Sequence, residues 1–447
     1  MAEKTTTINR QILRLALPAI VNNVTVPLLG LCDTAVAGHL GSASYIGAMA
    51  VGAMMLNVIF WLCGFLRMGT SGLTAQAYGA RDEGMSRDVL RKSLTIAAAL
   101  SLLAIAIQSP LLALLLRVIG PDPAVRDLAS LYFRICIWGA PAQLGIMAAS
   151  GWFIGRQNTV VPMGVAIGVN IVNILLSLTL VFGFRLGFTG IAVGTLCAGW
   201  TGLAAILLLV RKNCKEVKDF NDLKDLTPRS PGTVAWGRFF RLNSDLFFRS
   251  ACIMCVSLAM TSVGARLGET ILAANAVIMQ FFLFFSYFMD GFAFAGEALV
   301  GKAAGAQDRD LLRRSVSGLV RWGAAMAILF FLVYLTGART ITGFLTDNAT
   351  VREAVADMGI WIMILPPVTV AAFIFDGVFI GLARTRVLLI VTLVASTAFF
   401  TLAFLASGPG KLPGNRLLWL AFETYLLLRG VLLAFVYMKN QRKSLIL

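Results

Sequence analysis

Long apolar segments recur along the whole chain, and they constrain its fold more than any other feature. Each run has about 20 residues and is long enough to cross a hydrocarbon layer of about 30 Å. Of the 447 residues, 58% are hydrophobic and only 13% are charged, whereas charged residues make up about 25% of an ordinary soluble domain. No water-soluble core hides that much apolar surface. We therefore predict an all-α integral membrane protein.

The apolar runs predict twelve transmembrane helices. The first run is longer than the core of a signal peptide and has no small-residue cleavage pattern behind it, so we expect it to be retained as a helix. The predicted spans cover residues 12–37, 45–68, 93–116, 127–153, 160–183, 188–211, 240–264, 270–300, 316–337, 353–381, 385–407 and 416–438.

An internal repeat divides the chain into two halves. Leu73–Asp82 matches Leu299–Asp308, and Gly151–Gly155 matches Gly377–Gly381, both at a shift of 226 residues. A six-helix unit is thus duplicated, and because six is even, the copies have the same orientation. We expect two six-helix bundles related by a pseudo-two-fold axis along the membrane normal, with a transporter-type binding site between them near the midplane.

A polar stretch supplies the linker between these halves. Residues 212–236 are rich in Lys, Asp and Pro, and they separate an N-terminal lobe (1–211) from a C-terminal lobe (237–447). We expect the linker to lie in the cytoplasm, because its basic side chains fall on the same side as those of the N-terminus.

The basic residues carry information about topology. The net charge is +16, and Lys and Arg alternate between rich and poor loops: Lys4, Arg10 and Arg14 precede the first span, whereas Gly38–Tyr45 contains neither residue type. By the positive-inside rule both termini lie in the cytoplasm. We expect a monomer in the bacterial inner membrane that contacts anionic lipid and no nucleic acid.

Motifs for enzymatic chemistry are absent from the sequence. It contains no Walker A sequence, no catalytic-triad signature and no HExxH. Cys252 and Cys255 form a CxxC without a second ligand pair, and the single histidine, His39, lies at the end of a span. We therefore expect neither an enzyme nor a metal or other cofactor, and an ion gradient must supply the energy.

Ionisable residues inside the spans are candidates for function. At mid-span each costs at least about 2.5–3.5 kcal/mol, so each needs a partner or a purpose. For Glu423 and the arginines we expect structural pairing, whereas the other acids occur in only one copy of the repeat and are interpreted as functional. The acids are Asp33, Asp290, Glu297, Asp376 and Glu423, and the bases are Arg67, Arg134, Arg249 and Arg429.

Asp33 has the most informative sequence surroundings. Pro18 and Pro27 lie in the same predicted helix, and each removes a backbone hydrogen bond and favours a kink. The fifth predicted helix carries a polar stripe at three- and four-residue spacing, formed by Asn170, Asn173 and Ser177. A carboxylate that faces such a stripe in a low-dielectric site can load and release a proton, and a bend in the first helix is the element that this proton would bias.

A second acidic face is predicted on the eighth span. Asp290 and Glu297 are seven residues apart, so they share one helix face about 10 Å apart along the axis. We expect this face to look into the cavity and to contribute to substrate binding, together with Asp376 and Arg67.

Several motifs together resemble the multidrug and toxic compound extrusion (MATE) family, specifically its DinF branch. They are Pro27–Gly41, Leu66–Met68, Gly72–Ala80, Met289–Glu297 and Phe375–Gly381. The resemblance runs from the first span to the last. It implies two six-helix bundles around a central cleft, and export of mostly cationic, amphipathic compounds in exchange for protons or sodium.

The resemblance also implies roles for particular residues. Asp33 matches the proton-coupling aspartate of the family, Asn173 and Thr195 match polar residues of its N-terminal ion site, and Asp376 matches an aspartate used in the C-terminal lobe. Ser177 stands where many relatives have a second aspartate, and Phe247–Met260 lacks the glutamate of sodium-coupled relatives. Both changes remove the charged oxygen ligands that sodium prefers, so proton coupling is favoured over sodium coupling.

The sequence thus predicts a drug/proton antiporter with Asp33 as its protonation site. An exporter of organic anions is an alternative, in which Arg67, Arg249 and Arg429 line the cavity. A flippase for lipid-linked precursors is another alternative. A sensor is disfavoured because the sequence has no soluble domain, and an intramembrane enzyme is disfavoured because no nucleophile and base pair is present.

Overall fold

The computed structural model describes residues 2–40, 42–215, 233–405 and 414–442, and all regular secondary structure in these ranges is helical. The α-helices are α1 (Ala2–Gly38), α2 (Ala43–Leu62), α3 (Phe65–Gly79), α4 (Glu83–Ala106), α5 (Gln108–Ile119), α6 (Pro123–Cys136), α7 (Ala140–Gly155), α8 (Val160–Leu178), α9 (Phe188–Lys215), α10 (Trp236–Arg266), α11 (Glu269–Gly305), α12 (Arg309–Leu345), α13 (Ala349–Asp357), α14 (Gly359–Gly381), α15 (Thr385–Phe400) and α16 (Asn415–Arg442).

Within the described residues, ten helical stretches are long and apolar enough to cross a membrane. The predicted span 12–37 lies in the continuous helix α1, and the predicted span 127–153 is divided between α6 and α7 by a 3₁₀ turn at Ile137–Gly139. The prediction of an all-α membrane protein is confirmed, whereas the number of twelve spans stays a prediction. Of the predicted linker 212–236, residues 216–232 lie outside the described residues.

The chain forms two compact units. The first, here called unit N, comprises Val21–Phe239, and the second, unit C, comprises Met1–Ile20 together with Phe240–Leu447. The division falls inside α1, between Pro18 and Pro27. The first half of this helix therefore belongs to the same unit as the C-terminal half of the chain.

Small residues allow α1 to approach the helices of unit C closely. A Cβ atom at Gly291 of α11 would lie 2.9 Å from the carbonyl oxygen of Ala16, and a Cβ at Gly318 of α12 would lie 2.7 Å from Cδ1 of Ile12. Neither helix could pack so near α1 with a larger side chain at these positions, as is common where helices associate in membranes.

Unit N has an apolar core between α2, α6 and α9, and its last segment is anchored to α4. In the core, the ring of Tyr132 fills the space where Gly52 lacks a side chain. In the anchor, Lys92 donates to the Val234 carbonyl oxygen at 2.6 Å, and the Val234 amide donates to Oδ2 of Asp88 at 2.9 Å. Lys92 also pairs with Asp88, so these contacts fix the chain just before α10.

The 226-residue repeat recurs in helix ends and caps. Asp82 caps α4 by accepting a hydrogen bond from the Met85 amide at 2.8 Å, and Asp308 caps α12 by accepting one from the Leu311 amide at 2.8 Å. The residue before each cap has a left-handed backbone, with φ of 57° at Arg81 and 54° at the matching position 307. Each unit therefore ends one helix and starts the next in the same way.

Helix contacts repeat as well. A Cβ at Gly155 of α7 would lie 2.7 Å from the Ser71 carbonyl oxygen, and a Cβ at Gly381 of α14 would lie 2.8 Å from the Glu297 carbonyl oxygen. Both the glycines and the carbonyls they face are related by the shift of 226. The internal repeat predicted from the sequence is thus present in the local packing of each unit.

Candidate functional site

Asp33 lies in the part of α1 that belongs to unit N, and its side chain is 6% exposed. Its Oδ1 atom is buried and has no hydrogen-bond partner. A charged carboxylate in such a position is costly, so this group is suited to carrying a proton.

Three helices contribute a hydrogen-bonded polar group beside Asp33. Asn173 of α8 donates through Nδ2 to the Thr195 hydroxyl of α9 at 2.9 Å, and Thr195 donates to the Ile191 carbonyl oxygen at 3.0 Å. The Tyr132 hydroxyl of α6 also bonds to Thr195, and Tyr132 interacts electrostatically with Asp33. Tyr132 thus connects α6 to the same polar group.

Ser177 extends this polar group by one turn of α8. A Cβ at Gly194 would lie 2.7 Å from the Ser177 hydroxyl, so the serine packs closely against α9 next to Thr195. The Ser177 hydroxyl and Oδ1 of Asn173 are buried and have no hydrogen-bond partner. The structure therefore brings Asn173, Thr195 and Ser177 together within unit N, and Tyr132, which interacts electrostatically with Asp33, joins this group.

The segment of α1 around Pro27 makes side-chain hydrogen bonds to backbone carbonyls. Thr25 donates to the Asn22 carbonyl oxygen at 2.8 Å, and Asn170 of α8 donates to the Thr25 carbonyl oxygen at 3.1 Å. The polar stripe of α8 thus contacts α1 beside Pro27 as well as the group near Asp33. The helix continues through both Pro18 and Pro27, so their role as a hinge stays a prediction.

Two residues near Asp33 were not selected from the sequence. Tyr132 and Cys136 lie four residues apart on α6, both are buried, and both interact electrostatically with Asp33. The pattern gave a weak signal, because two polar atoms four residues apart share a face of an otherwise apolar helix.

Asp376 forms the centre of a buried charged cluster in unit C. Its Oδ2 atom accepts hydrogen bonds from Arg249 of α10 and from Arg429 of α16, the latter at 2.6 Å. Arg429 also donates to the Tyr425 hydroxyl at 3.2 Å. Two guanidinium groups thus face one carboxylate, and these three side chains carry one net positive charge.

The expected structural pairing holds for two arginines and is wrong for Glu423. Arg249 and Arg429 pair with Asp376. Glu423 of α16 is 4% exposed, yet neither of its carboxylate oxygens has a hydrogen-bond partner. Glu423 and Arg429 are six residues apart on α16 and do not share a helix face, and Arg429 is bonded to Asp376. Arg134 is exposed at the end of α6.

The remaining predicted substrate residues lie in α3 and α11. Asp290 is half-buried and interacts with Tyr287 on the same helix, and Glu297 is 1% exposed. Arg67 is half-buried, with Gly151 of α7 packed against its carbonyl group. Their assignment to substrate binding stays a prediction. In the described part of the chain, no group of three or more His, Cys, Asp or Glu side chains is placed to hold a metal ion.

The family described as MatE matches residues 18–179 and again residues 246–405. The chain belongs to the MATE family. Together the two matches cover more than half of the sequence, and their separation agrees with the internal repeat. The resemblance that the motifs predicted is therefore confirmed. Like other MATE proteins, the chain is a transporter and not an enzyme.

Relatives of this MATE protein include bacterial and plant proteins. It is 37% identical over 447 residues to DNA damage-inducible protein F of Escherichia coli K12, covering 98% of this chain and 94% of that protein, which confirms the DinF branch. It is 29% identical to a probable multidrug resistance protein NorM of Deinococcus radiodurans (86% and 85% covered). It is 25% identical to protein DETOXIFICATION 45 of Arabidopsis thaliana (84% and 69% covered).

Solved structures show the same fold. A MATE protein in a bent conformation superposes with a TM-score of 0.84 at 18% identity, covering 99% of this chain and 98% of that one. A MOP superfamily transporter from Pyrococcus furiosus superposes with a TM-score of 0.81 at 17% identity, covering 98% and 96%. The apolar helices and these relatives identify a multi-pass membrane transporter.

Proposed function

We propose that this MATE protein is a proton-coupled antiporter that exports amphipathic, mostly cationic compounds, with Asp33 as its coupling site. One observation carries the proposal: Asp33 is a buried carboxylate whose surroundings are polar but neutral. Its charged form is costly there, so its occupancy by a proton can change the energy of the surrounding helices.

The neighbours of Asp33 suit a proton-dependent rearrangement. In its ionised form the carboxylate is an acceptor only, whereas the protonated form is also a donor. Buried acceptors without a partner lie nearby at Asn173 and Ser177. Protonation from outside would neutralise Asp33, change its contacts with α8, and bend α1 at Pro27 so that cargo leaves. Release of the proton inward would reset the site.

Transport by the purified protein in liposomes tests the proposal. We expect efflux of a cationic dye to respond to an imposed proton gradient and not to a sodium gradient, and Asp33→Asn to abolish that response. Asp127→Asn, which changes an exposed aspartate of α6 in the same unit, is the matched control. Unchanged proton-driven efflux by Asp33→Asn would exclude Asp33 as the coupling site.

The charge of the Asp376 cluster favours a second candidate, an exporter of organic anions. Arg249 and Arg429 carry two positive charges against the single negative charge of Asp376, and planar guanidinium groups bind carboxylates well. Binding of citrate and of a cationic dye to the same preparation separates the two candidates. Citrate binding that is lost in Arg429→Met, without dye binding, would support the anion exporter.

We also propose the topology that follows from the basic loops. Both termini lie in the cytoplasm of a bacterial cell, and twelve spans in two sets of six form lobes 1–211 and 237–447 of a monomer in the inner membrane. Single cysteines introduced into loops, labelled with a membrane-impermeant reagent in intact cells, test this. Labelling of a cysteine at position 4 from outside would overturn it.

A further inference from the structure

Like Asp33, Glu423 is a buried acid that forms no ion pair within the described residues. Its side chain is 4% exposed, and neither Oε1 nor Oε2 has a hydrogen-bond partner. The other strongly buried acids of unit C are held by contacts, as Asp376 is by two arginines and Asp245 is by Thr385 and Arg386. A buried charge without a partner is not stable in an apolar site, so Glu423 must be neutral here.

The surroundings of Glu423 are aromatic and apolar. On α16 its neighbours at helical spacing are Trp419 and Leu426, both buried. The adjacent Phe422 ring lies 5.5 Å from the Phe282 ring and 5.7 Å from the Trp419 ring, between centroids. These rings exclude water from this part of unit C and provide no cation.

Ionisable groups on the elements around Glu423 are engaged elsewhere. In α14, Asp376 is bonded to Arg249 and Arg429, and in α15, Arg386 pairs with Asp245. The Tyr425 hydroxyl of α16 accepts a hydrogen bond from Arg429. The other ionisable groups on α11 and α16 are Glu269, Tyr287, Asp290, Glu297, Lys302, Arg416, Tyr437, Lys439 and Arg442. Among the described residues, none of these groups forms a hydrogen bond with a carboxylate oxygen of Glu423.

Contacts between α16 and α14 near Gly430 can be extrapolated along both helices towards Glu423 and two prolines of α14. Gly430 of α16 lies against Ala371 and Ala372 of α14, and seven residues further on, the Tyr437 ring lies 5.7 Å from the Phe375 ring. The two helices therefore run in the same direction. Extending this register back from Gly430 by the same seven residues reaches Glu423 on α16 and the neighbourhood of Pro366–Pro367 on α14.

Those prolines leave backbone carbonyl oxygens without a helical donor, and of the two forms of Glu423 only the protonated one is able to donate to them. Each proline lacks an N–H group, so the carbonyl oxygens four residues earlier, on Ile362 and Met363, lose their helical donor. A protonated carboxyl can donate to such a carbonyl, whereas an ionised one cannot. Proton loss from Glu423 would also place a negative charge on the same helix as Arg429, about 9 Å along the axis, near a cluster with one excess positive charge.

We propose that Glu423 is a second protonation site, so that the protein binds two exchangeable protons, one in each unit. The proton on Glu423 changes the contacts between α16 and the proline segment of α14, as the proton on Asp33 changes the contacts of α1. Binding of this proton is independent of the proposed function, whereas its coupling to transport depends on that function.

Infrared difference spectroscopy of the purified full-length protein tests proton binding without any cargo. Between high and low pH we expect two carboxyl bands from buried acids. Glu423→Gln removes one, Asp33→Asn removes the other, and Glu353→Gln, which changes an exposed glutamate of α13, removes neither. If Glu423→Gln leaves both bands in place, the proposal is wrong. If Glu423→Gln removes one band but Asp33→Asn removes none, Asp33 is wrong as the coupling site, and the protonation of Glu423 is supported.

Carbodiimide labelling of the unmodified protein is a second measurement, which does not depend on a folded variant. This reagent modifies protonated carboxyl groups in apolar sites, so mass spectrometry should find Glu423 labelled at low pH and protected at high pH. Labelling of Asp33 without labelling of Glu423 at any pH would overturn the proposal. In liposomes, Glu423→Gln should halve the number of protons moved per cargo molecule, and Glu353→Gln should leave it unchanged.

Discussion

The sites around Asp33 and Asp376 show two different ways of burying an aspartate in a membrane protein. Asp33, in unit N, has neutral neighbours and an oxygen without a hydrogen-bond partner. Asp376, in unit C, accepts hydrogen bonds from two arginines at one oxygen. The first acid forms no ion pair within the described residues, whereas the second is bonded to two cations and joins three helices.

This difference lies on a common scaffold. Matching caps at Asp82 and Asp308, and matching glycine contacts at Gly155 and Gly381, are conserved between the two units. The acids are not, because Ala259 and Ser150 stand at the positions that correspond to Asp33 and Asp376. The two units thus share one packing scaffold, and each unit carries a different electrostatic site on it.

The largest expected effect comes from neutralising the two aspartates separately. Asp376→Asn leaves two buried guanidinium groups facing no charge, and removal of one partner from a buried ion pair costs about 3–5 kcal/mol. Asp33→Asn removes no ion pair and should leave the free energy of unfolding nearly unchanged. Equilibrium denaturation in mixed micelles measures both.

A matched control for this measurement is Asp357→Asn, at an exposed aspartate of α13 in the same unit as Asp376. It should behave like the unmodified protein. Equal loss of stability in Asp33→Asn and Asp376→Asn would contradict the contrast between a neutral and a compensated site.

An intermediate effect is expected at the repeated glycines. Gly155→Ala and Gly381→Ala each place a methyl group against a carbonyl oxygen of a neighbouring helix, and overpacking of this kind costs about 1–3 kcal/mol. The two losses should be similar, because the two contacts are equivalent. Gly168→Ala in α8 is the control, since its Cβ would meet no atom within 4 Å. Unequal losses of stability would show that the two units differ in more than their acids.

The smallest expected effect concerns Tyr132. Tyr132→Phe removes the hydroxyl that interacts with Thr195 near Asp33 and costs about 1 kcal/mol, the typical net contribution of one hydrogen bond. We expect the protein to remain folded and the pH dependence of proton-driven efflux to shift. Tyr334→Phe, which removes a buried hydrogen bond in unit C, should lower stability by a similar amount without shifting that pH dependence. A shift of the pH dependence by the same amount in both variants would show that Tyr132 has no specific effect on the Asp33 site.

Much of the fold could be predicted because its signals are local in the sequence. Apolar runs gave the helices, and the repeated glycine motifs gave the duplication, since close helix contacts tolerate few residue types. The polar stripe of α8 gave Asn173 and Ser177, because residues three and four apart share a helix face. The interruption between α6 and α7 at Ile137–Gly139 is followed by Pro141 in the first turn of α7, a helix-start signal that the predicted continuous span 127–153 passed over.

The parts of the sites that could not be predicted depend on contacts between distant segments. Arg249, Asp376 and Arg429 come from three helices, and the sequence does not say which of several arginines reaches which acid. Tyr132 was overlooked because a tyrosine in an apolar helix is common. Glu423 was expected to pair, and the cause of its isolation is that the nearest cation on its own helix, Arg429, is already bonded to Asp376.

The division of α1 has a consequence for the order in which the protein is made. Residues 21–239 of unit N are contiguous, so this unit can fold as soon as they have left the ribosome. Unit C needs the first twenty residues as well as the last two hundred, and Ala16 and Ile20 pack against Gly291, which is synthesised much later. The N-terminal segment therefore lacks its packing contacts with unit C until translation is almost complete.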